Sequence, residues 1–167
     1  MPRQRAASSA SALRSIDTRH TARLDGSSGR QRHAVGVPSA RRVFIARARL
    51  ADAAFVSALA PALWQFGWAL HDEVPNRLDW FCLARTEIER CDAFVFVVSD
   101  AGLASAACIN ELRYAAQRKP VLRLDRQNGM QVNAVPELVG VPVVEAMGRT
   151  MGELAESTAT YLSRLCP

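Results

Sequence analysis

Lysine is nearly absent from this 167-residue chain: Lys119 is the single one, against twenty arginines. That bias suggests a GC-rich genome. No apolar run approaches the ~20 residues needed to span a bilayer, and no secretory h-region is present. The cysteines Cys82, Cys91, Cys108 and Cys166 form no CxxC pair, and His20, His33 and His71 do not cluster. These absences argue against a metal site and a disulfide framework, and they predict a cytoplasmic protein. The sequence also lacks GxGxxG, a GxxxxGK phosphate loop, GxSxG and HExxH. Hydride transfer, P-loop hydrolysis, triad chemistry and zinc hydrolysis are therefore unsupported.

Large apolar residues are scarce before Val43. Met1 to Arg42 holds nine Arg and two Asp, a balance of +7, whereas Val43 to Pro167 holds twelve Lys or Arg against fourteen Asp or Glu, a balance of −2. The basic pI thus belongs to the first segment. Residues 1–41 are expected to be a disordered, dispensable Arg/Ser-rich tail, with one folded domain over 42–167. Three readings of the tail stay open: a basic arm, an acid-poor transit peptide, or sequence upstream of the true start. The tail has no aromatics for stacking and the remainder is net acidic, so nucleic acid is not an expected partner.

What is present alternates. "VFIAR" (43–47), "WALH" (68–71), "AFVFVV" (93–98), "PVLRL" (120–124) and "VPVVEA" (141–146) read as strands. Between them, Phe55, Leu59, Leu63 and Phe66 mark a helix over 51–67, with Gly67 closing it and Pro61 expected to kink it. Asp79 is the expected N-cap of a second helix whose face is Trp80, Leu83, Ala84, Ile88 and Cys91. Ser105 caps a third, running to about Gln117, and a last helix spans about 151–165. The alternation predicts an α/β, flavodoxin-like three-layer fold with a five-stranded parallel sheet covered on both faces. Its binding crevice lies at the carboxyl ends of strands one and three, lined by Ala46–Arg49 and Ser99–Leu103.

Glu111 stands in the small-residue stretch "SDAGLASAACINEL" above that crevice. A helical wheel puts Cys108, Leu112, Ala115 and Ala116 in the buried arc, with Glu111 at its edge. Its i±3 and i±4 neighbours are Ala107, Cys108, Tyr114 and Ala115, so no helical ion pair is available to it. Two readings remain: a solvated boundary carboxylate, or a carboxylate presented to a ligand beside Ala104, Ala106 and Ala107.

The segments resemble a bacterial Toll/interleukin-1 receptor (TIR) domain over residues 42–165. "VFIARARLADAAFV" is similar to that family's first box, a Phe-Ile-Ser-Tyr-Ser run before an acidic helix start. "GWALHDEVPNRLDW" resembles its second strand, mobile loop and Asp-Trp; "CDAFVFVVSDAGLASAACINEL" resembles its third strand and Cys-x-x-Glu helix. The resemblance implies cleavage of NAD+ between ribose and nicotinamide, giving ADP-ribose or a cyclic form, with NAD+ as substrate and no cofactor or metal. It makes Glu111 the catalytic residue and Ala46, Arg47, Arg49, Asp72, Trp80, Ser99 and Cys108 substrate-binding. Arg47 or Arg49 would contact the pyrophosphate. Trp80 would close over a base or merely pack, and Ser99 would line the site or merely end its strand.

The family also implies self-association through the Asp72–Leu78 loop, a TIR-domain or sensor-protein partner, and a role in bacterial defence or effector signalling. Two other roles occur on such folds: a non-catalytic adaptor, and a base-exchanging nucleoside transferase. The chain departs from the pattern at Ala46, Arg47 and Ala48, where Ser and Tyr are usual, and at Ala107, where many active members carry Trp. Both departures alter the pocket lining.

Overall fold

All six residues of Ala93–Val98 are buried, as a strand covered on both faces requires. This strand, β3, is the middle of a five-stranded, all-parallel sheet ordered β2-β1-β3-β4-β5. The other strands are β1 (Arg41–Ala46), β2 (Trp68–His71), β4 (Val121–Asp125) and β5 (Val143–Glu145). The computed structural model describes residues 40–72, 79–127 and 132–167. The expected tail, apart from its last residues, and the 73–78 part of the expected assembly loop lie outside them.

Alternate residues of each strand face opposite layers. Val43 and Ile45 of β1, with Val95 and Val97 of β3, meet α1 (Ala53–Gln65) and α5 (Met151–Leu165) in one core. Phe44 and Ala46, with Phe94, Phe96 and Val98, meet α2 (Trp80–Arg90) and α4 (Ala106–Ala116) in the other. Phe44 lies opposite Phe94 in register, and their rings stack at 5.6 Å between centroids. The strand order is the flavodoxin-like one that the alternation implies, reversing direction between β1 and β3.

The elements differ from the sequence reading in instructive places. β1 starts at Arg41, within the segment assigned to the tail, because Arg41 and Arg42 pair with Trp68 and Ala69 of β2. Pro61 sits inside α1 without ending it. Its missing N–H would have bonded the carbonyl of Ser57, a residue on the solvent-exposed side of the helix. Phe66 is exposed at the C-cap, and Val56 takes the core place expected of it. Gly67 follows with φ +81, the left-handed conformation that closes the helix. Asp79 is at the N-cap of α2 but makes no capping hydrogen bond with its side chain. By contrast Thr150 and Glu153 complete a capping box on α5.

Two short elements have no periodic signal: α3 (Asp100–Leu103) and a 3-10 turn at Pro136–Leu138. Among the described residues no helix is long and apolar enough to cross a membrane.

Candidate active site

Strand β1 runs out at Ala46, beside Phe96 of β3, and the chain turns at once into α1. The turn is closed by Asp52 N–H donating to the carbonyl of Ala48 at 3.0 Å. The side chain of Asp52 doubles back over it. This carboxylate is 0% exposed. Oδ2 accepts from Ala48 N at 2.9 Å and from Ser99 Oγ at 3.0 Å, while Oδ1 accepts from Arg126 Nη1 at 2.6 Å. A buried anion is tolerated only with such partners, and here three chain segments supply them. The β1 loop, the end of β3 and the end of β4 are thereby joined at the strand reversal, where sheets of this order bind ligands.

Ser99 carries the arrangement onward. Its Oγ accepts from Gly102 N at 3.0 Å and caps α3, so the hydroxyl that ends β3 also serves Asp52. Gly102 is wedged in this corner. A Cβ there would lie 2.8 Å from the Val97 carbonyl oxygen and 3.1 Å from Ser99 Oγ. Gly102→Ala is therefore expected to lower stability by about 1–3 kcal/mol, as overpacking does, measured by urea unfolding against the parent.

Ser105 Oγ accepts from Cys108 N at 3.3 Å and starts α4. This helix presents the i, i+3, i+4, i+7 set Cys108, Glu111, Leu112 and Ala115 to the interior. The buried arc is thus rotated toward Glu111 and away from Ala116, which is exposed. Glu111 is not a solvated boundary residue: it is 9% exposed. Burial pushes its carboxyl up from the ordinary 4.5 to about 7, with the charge of Arg49 pulling weakly the other way. Among the described residues no hydrogen bond reaches that carboxyl. Ala107, one turn before it on α4, is half-buried, and Ala104 and Ala106 are exposed.

The other residues singled out from the sequence fall into three groups. Ala46 ends β1 and Ser99 follows β3 at the strand reversal, while Cys108 packs with Ala46 in the second core, one turn before Glu111 on α4. The Cys108 thiol, raised in pKa by its burial, donates to the carbonyl of Arg47 at 3.1 Å and so ties α4 to the β1 loop. Arg47 and Asp72 pair with each other, Nη2 to Oδ2 at 2.7 Å, linking the ends of β1 and β2, and Arg47 also donates to the carbonyl of Arg49. Arg49 itself is exposed at the rim, its charge felt at Glu111. Trp80 is half-buried against the second core, its ring tilted on Phe81 at 5.3 Å, which is a packing environment.

Asp52 and Arg126 are absent from the sequence-derived set, and Gly102 entered it only as part of the Ser99–Leu103 lining. Asp52 left one legible sign, since it is the acid at the helix start that closes the first box. Arg126 left none: it is one arginine among twenty, and its partner lies 74 positions earlier.

A desolvated carboxylate near the ligand-binding edge of such a sheet can oppose a developing cation or hold a proton near neutrality. Residues 43–142 match the family model of the TIR domain, over more than half of the chain. The chain belongs to the TIR domain family. No curated protein matches it. Among solved structures, the TIR chain is similar to a CMP N-glycosidase of Clostridium botulinum. That match has a TM-score of 0.55 at 19% identity, covering 72% of this chain and 99% of the other. A diflavin flavoprotein of Nostoc also matches, with a TM-score of 0.47 at 15% identity over 74% and 93% of the two chains.

Proposed function

We propose that this TIR domain cleaves the N-glycosidic bond of NAD+, releasing nicotinamide, with Glu111 as the catalytic carboxylate. The observation that carries the reading is the burial of Glu111, with no hydrogen bond to it among the described residues, on the helix that Cys108 ties to the β1 loop of a TIR domain. Burial that raises a carboxyl in such a place is the kind of arrangement that functional sites use.

One carboxylate suffices for this substrate. Glycosidases of O-linked sugars need a second group to protonate the leaving oxygen. Nicotinamide departs from a cationic pyridinium: the C1′–N bond breaks, its electron pair returns to nitrogen, and the base leaves neutral. The remaining requirement is an anion against the oxocarbenium-like ribose, supplied by Glu111 in a site where little water screens it. Water then bonds to C1′ and loses a proton, giving ADP-ribose, or a ribosyl acceptor within the substrate closes a cyclic product. Arg49 at the rim binds the pyrophosphate, and Arg47 holds the β1 loop through Asp72.

The fold likeness to a CMP N-glycosidase favours a second substrate class, the pyrimidine nucleotides. The two classes make opposite demands on Glu111. Cytosine leaves as an anion unless a proton reaches it, so there the protonated carboxyl would be the active form. For NAD+ the ionised form is active, and kcat/KM rises with pH through about 7, where Glu111 loses its proton in the free enzyme. The test incubates concentrated protein with NAD+ or CMP from pH 5.5 to 8.5 and follows free base by chromatography. Nicotinamide release with an acidic limb near pH 7 is expected. Cytosine release that falls across that range assigns the second class, and release of neither leaves the adaptor role.

A further inference from the structure

We propose that Asp52 is a positioning residue, whose carboxylate, clamped by Arg126, fixes the Arg47–Arg49 segment against α4 beside Glu111. This rests on the reading that Glu111 is the reacting carboxylate.

Asp52 cannot touch a ligand, since it is fully buried and its oxygens are taken by Ala48 N, Ser99 Oγ and Arg126. What it determines is the path of the loop. Ala48 N is drawn to Oδ2 of Asp52, and Arg126 Nη1 donates to the Ala51 carbonyl at 3.1 Å as well as to Oδ1 of Asp52. One guanidinium therefore grips the loop at two consecutive residues. On its other side the loop is tied to α4 by the Cys108 thiol on the Arg47 carbonyl. The segment between these ties carries Arg49, whose charge acts on Glu111. Of the other groups nearby, Arg47 is engaged by Asp72, and the Cys108 thiol is held neutral by its burial. Slackening the Asp52 clamp thus moves the charge of Arg49 off Glu111.

Two substitutions read this out through the titration of Glu111, followed by carboxyl 13C NMR, with Glu111→Gln used to assign the signal. Asp52→Asn removes a negative charge, which through space alone would lower the Glu111 midpoint. Loss of positioning raises it, by about half a pH unit or more. Arg126→Lys keeps the charge, but its shorter side chain ends one bond short of Nη1, the atom that makes both contacts, and it supplies the same upward shift if Asp52→Asn does not fold. With NAD+, a loop displaced by about 1 Å lowers kcat on the order of a hundredfold. A midpoint that stays put or moves down in the folded variants overturns the proposal, whatever their thermal stability. The titration needs no turnover. If the parent releases no base, the catalytic reading fails while the titration still decides the positioning of the loop.

Discussion

Glu111→Gln is expected to lose base release by about a hundredfold or more while gaining stability at neutral pH. The loss follows from the charge: the amide keeps the size of the side chain but cannot oppose a cationic ribose, and a preorganised electrostatic contact of this kind contributes several kcal/mol to the barrier. The gain follows from the environment. The carboxyl of Glu111 is held near 7 in the native state against an ordinary value of 4.5. A carboxyl with a raised native value binds its proton more tightly when folded. Its contribution therefore favours the native state below about pH 4.5 and is lost as pH rises through about 7. Above that range the ionised, buried group costs the parent roughly 3 kcal/mol that Gln does not incur. Unfolding of both proteins at pH 4.5 and pH 8 checks this: equal stability at the lower pH, and a Gln variant more stable by several degrees at the higher. A boundary carboxylate without an ion pair would affect stability hardly at all; it is the burial of Glu111 that makes this effect large.

Asp52→Ala is expected to act in the opposite direction, lowering stability by about 3 kcal/mol or more. Removing one member of a buried ion pair leaves its partners unmatched. Here those are the Ala48 N–H, the Ser99 hydroxyl and Arg126. Arg126 is one-third exposed and recovers some hydration, which holds the effect near the lower end of the range for such changes. Arg126→Ala is expected to destabilise by leaving Asp52 charged and under-bonded. The double substitution should then cost less than the sum of the two single ones. Urea unfolding of the three variants measures both terms. Additive losses would show that Asp52 and Arg126 stabilise the domain independently.

The fold was legible because its two central strands, β1 and β3, bury runs of β-branched and aromatic residues. Trp68–His71, Ala93–Val98 and the helix Met151–Leu165 lie where the pattern puts them. What pattern could not supply is long-range. The wheel for α4 fixes an arc but not its rotation against the sheet, so it took Ala116 for Glu111 as the buried residue. The four-residue α3 is too short to carry a period. The Asp52 clamp joins residues 47 and 74 positions apart, which no local window contains. Arg47 and Asp72 each read as ligand-facing until the parallel register of β1 and β2 set their side chains against each other.

The claim that Glu111 cleaves the nicotinamide–ribose bond is tested most directly by a proton NMR time course of NAD+ with concentrated protein at pH 8, parent beside Glu111→Gln. The account predicts that the parent converts the nicotinamide signals of NAD+ to those of free nicotinamide, and that the Gln variant leaves them all but unchanged. Intact NAD+ with the parent, or equal rates from the two proteins, would contradict it.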